Sequence, residues 1–429
     1  MRVFKHADTH HKKPDGVGMG HDSKVQTVDR AWGVLAGACL CMFCGVPAVV
    51  FYTFGVFVPE IVSATQWNPA SVAAAIGPGA LIVAVMAPLV GRLCDLFGVR
   101  PLAMIGGLAF GAGIALVGFG PQSSTTFVIF TMLMYLLAFA GTPIAYAHAL
   151  TGWFDRRRGM ALGVMFAAGA LGIAVWPNLA AFLIQEIGWR WAYGVIGATV
   201  AVVFFLSGLL LLRNPPDQNK DVASPNPALG LRVAEAIRTA TFWKIAAIFA
   251  ILSAALGGAA VQLPVILRQQ GADAQTAASI MSVVGISMLA GRLLLGFMLD
   301  RWFAPHLTIG ITLISMLGFG LIVADSSSLS LFLAAALLGF GLGSEYAEVA
   351  YIVSRAFGFR AFGAIYGLVT LATGIGMAAG PAAMGVSLAV GINPQLIFSV
   401  AIAALVLPLI LLITFKRSDL PFGTTPAAG

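Results

Sequence analysis

The chain is short of charge. Asp, Glu, Lys and Arg together make up 10 % of its 429 residues, against 59 % hydrophobic residues. Soluble domains carry about 25 % charged residues, so a free-standing soluble enzyme or binding domain is excluded. No Gly-x-x-x-x-Gly-Lys-Ser/Thr loop occurs, which removes the phosphate cradle that a nucleotide-driven pump needs. The alternating ten-residue segments of a membrane β-barrel are missing too. Cysteine is scarce: Cys39, Cys41, Cys44 and Cys94. The Cys41-x-x-Cys44 spacing is that of a redox or zinc pair, yet it falls in an apolar run without further ligands, and these read as small buried hydrophobes. No metal and no cofactor is expected. The first 30 residues lack the apolar core of a cleavable signal, so the first span is expected to act as its own insertion signal.

What is present is a series of long apolar blocks. A run of about 20 apolar residues crosses a bilayer as a helix. Such runs lie near 32–58, 70–91, 101–120, 127–150, 159–182 and 191–212, and again near 243–267, 276–299, 307–324, 329–353, 361–388 and 394–415. The chain is therefore read as an all-α integral membrane protein with twelve transmembrane helices, termed spans 1 to 12, in two pseudo-symmetric halves of six. Tails are placed at 1–30 and 417–429, the halves at 31–212 and 242–416, and a linker at 213–241 that contains a candidate amphipathic helix at 229–240. The lipid bilayer is the one macroscopic partner the composition demands, and a monomer is the expected working unit.

Charge placement orients the spans. Lys and Arg crowd the N-terminal tail and every second loop, at Arg92 and Arg100, Arg156 to Arg158, Arg213 to Lys244, Arg301, and Arg355 and Arg360, while the opposite loops hold Arg190 and Arg268. Basic loops stay in the cytoplasm, so both termini are expected there, in a multi-pass protein of the plasma (inner) membrane. The net charge of +7 follows from this bias, and a nucleic-acid partner is not implied. His6, His10, His11 and His21 in the tail read as part of a flexible segment before they read as a metal site.

The halves repeat. Gly91-x-x-x-Asp95 after span 2 recurs 205 residues later as Gly296-x-x-x-Asp300. Arg156, Gly159, Gly163, Gly172 and Pro177 recur after 204 residues as Arg360, Gly363, Gly367, Gly376 and Pro381. Two parallel six-helix repeats with a site between them near the midplane is a transporter plan. The run Gly91-Arg-Leu-Cys-Asp95-Leu-Phe-Gly98-Val-Arg100 resembles the loop 2–3 signature of the major facilitator superfamily. Trp153-Phe-Asp-Arg-Arg-Arg-Gly159 resembles the segment before span 5 of its monocarboxylate-porter branch, and Arg292 with Gly296 and Asp300 is similar to that branch's span-8 arginine motif. The branch includes the oxalate:formate antiporter and proton-linked lactate and pyruvate carriers. Two departures stand out. Span 11 lacks the lysine that the oxalate:formate type carries, which favours monoanions over dianions, and Met288 occupies a position where several animal-type carriers place an acid.

Arg292 is the first candidate binding residue. It lies eight residues before Asp300, about 12 Å along its helix from that end, where a charge costs at least about 2.5–3.5 kcal/mol unless it is partnered. A guanidinium fork matches a carboxylate in two hydrogen bonds, so Arg292 is expected to bind a small carboxylate, with Tyr52, Tyr146, Tyr346 and Tyr366 as further substrate contacts. Glu345 and Glu348 in span 10 sit at nearly the same depth. Burial favours a carboxyl's neutral form and a nearby guanidinium its charged form. From that opposition Glu345 and Glu348, with His148, are read as proton-coupling residues, and Arg292 is expected to pair with one of the glutamates when no substrate is bound. Asp95, Arg92, Arg100, Asp300 and Arg301 at the helix ends are read as gating pairs.

The sequence thus predicts a secondary carrier of organic anions, monocarboxylate-type and proton-coupled, working by alternating access. The competing readings are a proton-driven multidrug exporter on the same fold and a non-transporting membrane receptor. An enzyme is disfavoured, since the few intramembrane acids and histidines assemble no nucleophile, paired-carboxylate or metal site.

Overall fold

The computed structural model describes residues 19–68, 72, 75, 77–154, 157–215, 230–269, 274–324 and 327–422. His6, His10, His11, Arg156 and most of the linker lie outside these residues, as does the side chain of His21.

Among the described residues the chain is helical, with one isolated bridge between Gly230 and Gly358. In lipid every backbone N–H and C=O must be satisfied within the chain, which leaves the helix as the natural spanning element. Ten described helical stretches are long and apolar enough to cross a membrane. One of them, Arg158–Leu206, is two spans merged: Gly188 sits inside it at φ 76° and ψ 160°, a conformation open to glycine. Spans 5 and 6 are therefore joined by a single residue instead of the eight-residue loop the sequence suggests. Gly77–Phe97 is span 2, and completes the twelve. The remaining spans are Val99–Phe119 (span 3), Ala240–Gln269 (7), Ala274–Leu299 (8), Ala304–Ala324 (9), Ser328–Phe357 (10), Phe362–Ala389 (11) and Pro394–Ile413 (12).

Two spans of the first half are interrupted. Span 4 runs Ser124–Leu137, tightens into a 3-10 turn at Ala138–Gly141, and resumes at Pro143–Trp153. Span 1 runs Met19–Phe43, passes through a π-helical turn at Pro47–Phe51, and continues as Tyr52–Thr65. Proline has no N–H to give the carbonyl four residues back, so Pro47 leaves the Phe43 carbonyl without its helical donor. The Trp176 indole N–H of span 5 donates to that oxygen at 2.9 Å. Gly172 lets span 5 come so near, since a Cβ there would lie 2.2 Å from the same carbonyl. The amphipathic helix expected at 229–240 is shorter, Val233–Ala236.

Outward faces are apolar, as with Ile105, Leu81 and Ile413, each more than half exposed. Trp191, Trp243 and Trp302 stand exposed at span ends, the level at which amphipathic rings prefer the membrane interface.

The halves meet along two crossings near the end of the bundle that carries the arginine-rich loops, and the sequence repeat becomes reciprocal contact there. A Cβ on Gly91 of span 2 would stand 1.8 Å from the Gly363 carbonyl of span 11, and one on Gly367 2.4 Å from the Ala87 carbonyl. In the mirrored crossing a Cβ on Gly159 of span 5 would stand 2.4 Å from the Gly296 carbonyl of span 8, and one on Gly163 2.5 Å from the Arg292 carbonyl. Backbone lies on backbone, the small-residue packing that membrane helices use in place of a hydrophobic drive.

The two aspartates seal these crossings as helix caps. Asp95 accepts from the Gly363 and Ala364 N–H groups, both at 2.9 Å. Asp300 accepts from the Gly159 N–H at 2.6 Å and the Met160 N–H at 2.9 Å. Each acid thus neutralises the positive end of a helix in the opposite half. The arginines expected to pair with them do something else. Arg92 and Arg301 point to solvent. Arg100 donates to the Gly208 and Leu209 carbonyls at the end of span 6, at 3.2 and 3.4 Å. The cations near Asp300 are Arg158 and Arg355, both buried. Arg158 also crosses between halves, donating to the Ser354 hydroxyl at 3.0 Å with its guanidinium 4.9 Å above the Phe359 ring.

Gly91→Val is expected to destabilise this closed arrangement by more than the roughly 1–3 kcal/mol typical of overpacking, because the obstacle is backbone. Gly33→Ala, with open space at its Cβ, is the matched control. Melting of the purified protein should drop for the first and stay level for the second.

Candidate functional site

Arg292 stands just above the span 5–span 8 crossing. The glycine contact at Gly163 against the Arg292 carbonyl draws the two helices together, so the side chain is enclosed, with 8 % of the residue exposed. Its guanidinium is held from one side. Nη1 donates to the Phe166 carbonyl of span 5 at 2.9 Å. Nη2 has only the Met288 thioether, 3.9 Å away and one turn earlier on the same helix. Nε has no protein partner. A carboxylate engages arginine side-on through Nε–H and one Nη–H, and Nε and Nη2 form the edge left free of any strong acceptor.

Aromatic side chains gather round it. Tyr346 of span 10 and Tyr52 of span 1 lie within electrostatic reach of the guanidinium. The Tyr346 ring stacks on Phe166 with centroids 5.8 Å apart, and Tyr366 of span 11 lies near Tyr346. Tyr52 is 54 % exposed. Tyr52 occupies this place because the π-helical turn before it re-registers span 1. Tyr146 is not part of this group. It is fully buried inside the first half, its hydroxyl donating to the Ala140 carbonyl at 2.7 Å and its ring edge-on to Phe204, so the expected substrate contact is corrected to a packing and span-4 turn role.

The glutamates share the depth of Arg292 but face away from it. Glu345 accepts a hydrogen bond from the Ser253 hydroxyl of span 7. Glu348 Oε1 accepts from the Thr308 hydroxyl of span 9 at 3.0 Å, while Oε2 has no protein donor. The ion pair expected between Arg292 and one of these acids is absent among the described residues. Both carboxyls turn into their own half, where hydroxyls on spans 7 and 9 meet them. Glu345 remains adjacent in sequence to Tyr346, which links it to the arginine through one residue.

His148 belongs to neither group. Its Nε2 lies 3.2 Å from Asp95 Oδ1 and its ring 5.8 Å from Phe362 of span 11, so it stands at the crossing, not beside the glutamates. Sequence reasoning passed over Phe166, Ser253, Thr308 and the buried Arg158. Phe166 acts partly through its backbone, which no side-chain pattern reveals. Ser253 and Thr308 are ordinary residues of apolar helices until a carboxyl faces them. Arg158 looked like one of three loop arginines, and only the fold buries it.

A family model described as Major Facilitator Superfamily matches residues 38–381 and, in a second match, 271–423. The Escherichia coli (strain K12) MFS-type transporter YhjX is 25 % identical over 330 residues, 76 % of this chain and 81 % of the relative. Monocarboxylate transporter 13 of Bos taurus is 25 % identical over 280 residues, 65 % of this chain and 64 % of its own length, in keeping with the span-8 motif. The crystal structure of the human organic anion transporter MFSD10 (TETRAN) shares the fold, with a TM-score of 0.70 at 16 % identity over 90 % of this chain and 99 % of that one. A family model spanning most of the chain and twelve spans in two repeats agree: the chain is a multi-pass membrane transporter of the major facilitator superfamily, and not an enzyme.

Proposed function

We propose that this transporter carries small organic anions of the monocarboxylate type together with a proton, by alternating access. The observation that carries the reading is the side-on edge of Arg292, Nε and Nη2, which meets no strong protein acceptor on a side chain held between spans 5 and 8 of the two halves. The anion's carboxylate takes that edge while the Phe166 carbonyl keeps the guanidinium in place. Tyr52 and Tyr346 stand beside it, with Tyr366 buried behind Tyr346. An arginine charge costs several kcal/mol to hold inside a membrane, and a bound carboxylate offsets that cost. A multidrug exporter for cations fits less well, since each glutamate already accepts from a hydroxyl of its own half while the unmet donors beside the tyrosines belong to a cation.

The proton is assigned to Glu345, with Glu348 as its neighbour toward span 9. The Ser253 hydroxyl that donates to Glu345 can turn to accept when Glu345 takes up a proton. Loaded with one anion and one proton, the centre carries no net charge beyond its protein charges, and the halves rock about it. The caps at Asp95 and Asp300 then release, opening the end that closes in this conformation, and His148 acts at that clasp beside Asp95. By the placement of the basic loops, this end and both termini lie in the cytoplasm, and the protein sits as a monomer in the plasma (inner) membrane.

Arg292→Lys should weaken binding of the transported acid about 10- to 100-fold, the range for losing a charged bidentate hydrogen bond of about 1.5–3 kcal/mol. Saturation of uptake into proteoliposomes measures it, and an unchanged half-saturation concentration would make Arg292 purely structural. Glu345→Gln should remove the dependence of uptake on an imposed proton gradient. In the unaltered protein, uptake rises as the pH on the substrate side falls, and in the variant the same pH series should be flat. A variant that still concentrates substrate against its gradient when driven by protons would transfer the coupling role elsewhere.

A further inference from the structure

The site around Arg292 has one cationic group and a wall made largely of rings. Phe166 and Tyr346 stack at 5.8 Å with planes 30° apart, and Tyr366 stacks on Phe362 at 5.5 Å with planes 15° apart. Tyr52 presents a ring that is 54 % exposed and has no ring partner of its own among the described residues. These faces come from both halves: spans 1 and 5 of the first, spans 10 and 11 of the second. The other buried charges at this depth are acids, Glu345 and Glu348, while the buried cations Arg158 and Arg355 lie at the clasp.

We propose that the preferred substrate is a monocarboxylate whose body is a flat aromatic ring, held by its carboxylate on Arg292 and by its ring against Tyr52 and the Phe166–Tyr346 stack. The inference rests on the carboxylate reading above and narrows it. A short hydroxy- or oxo-acid satisfies the guanidinium but leaves the rings unmatched. Offset-stacked aromatic faces attract beyond what buried area alone provides, so a ring on the substrate adds binding that a methyl group cannot. A second carboxylate would be placed among aromatic faces close to Glu345, and among the described residues the other buried cations, Arg158 and Arg355, lie at the clasp. A cationic body meets Arg292 itself. Because the ring faces belong to both halves, an aromatic substrate bridges spans 1 and 5 to spans 10 and 11 and favours the state in which they approach.

The test uses three acids with one head group: pyruvate, phenylpyruvate and oxaloacetate, which are the same 2-oxo acid bearing hydrogen, a phenyl ring or a second carboxylate on the methyl carbon. The purified full-length protein is melted in detergent across a concentration series of each. The expected result is stabilisation by phenylpyruvate at least tenfold lower in concentration than by pyruvate, and none by oxaloacetate. Tyr346→Leu should bring the phenylpyruvate midpoint close to that of pyruvate, and Arg292→Ala should abolish both shifts. Tyr52→Leu, at an exposed position, gives the same comparison should Tyr346→Leu not fold. Equal midpoints for pyruvate and phenylpyruvate, or a preference for oxaloacetate, overturn the ring inference while the carboxylate reading stands. No shift with any of the three acids, or shifts that persist in Arg292→Ala, overturn the carboxylate reading and the ring inference with it.

Discussion

Everything at the centre of this protein depends on how closely four backbone segments approach one another. At Gly91 against Gly363 and at Gly159 against Gly296 there is no room for a Cβ. The main chains touch, and the N-termini of spans 5 and 11 come within hydrogen-bonding distance of carboxylates in the opposite halves. With side chains at these four positions the helices would stand further apart, the aspartate caps would not reach, and Arg292 would face a wide aqueous gap. The arginine is enclosed because glycine lets its helix be overlapped by another, and the anion-binding role proposed for it draws on that enclosure, where a charge-assisted hydrogen bond is stronger than in water.

The clasp at the closed end is made of two unlike latches built on one plan. Both use an aspartate on the N-terminal amides of a helix in the other half. At Asp95 the additional neighbour is His148, whereas at Asp300 the neighbours are the guanidiniums of Arg158 and Arg355. An imidazole at one latch and two guanidiniums at the other therefore stand beside the equivalent aspartates of the pseudo-symmetric frame. The centre has the same kind of asymmetry: Arg292 of span 8 corresponds to Ala87 of span 2, and both are residues whose carbonyls meet a glycine of the crossing helix. The repeat supplies matching backbone geometry, and the chemistry is placed on one copy of it.

Much of this was legible in the sequence. Long apolar runs fix the number of spans because a bilayer has a set thickness, and the glycine and aspartate repeats marked the positions that now form the two crossings. Depth was legible as well, since 1.5 Å per residue puts Arg292, Glu345 and Glu348 at similar levels. Direction round the helix was not. Glu345 and Arg292 share a level yet face different neighbours, because the rotation of a helix is set by what packs beside it, and in lipid there is no polar-outside pattern to reveal it. Tyr146 misled for the same reason. The arginines of the loops misled for another: sequence proximity to an aspartate suggested ion pairs, but backbone amides at a helix start compete for the same carboxylate and are already in place when the halves meet.

The interruption of span 1 ties these features into one lever. Pro47 frees the Phe43 carbonyl, Trp176 of span 5 takes it, and span 5 also carries Phe166, Gly163 and Gly159. The indole is thus a pin between the helix bearing the exposed Tyr52 and the helix that holds the arginine and the Asp300 latch. Sliding of span 5 along its axis either breaks this bond, at a cost of about 1 kcal/mol, or carries the broken helix and Tyr52 with it. Mechanically, the first half then behaves as a crank with its bearing at Phe43, and the tryptophan N–H sets how much play that bearing has.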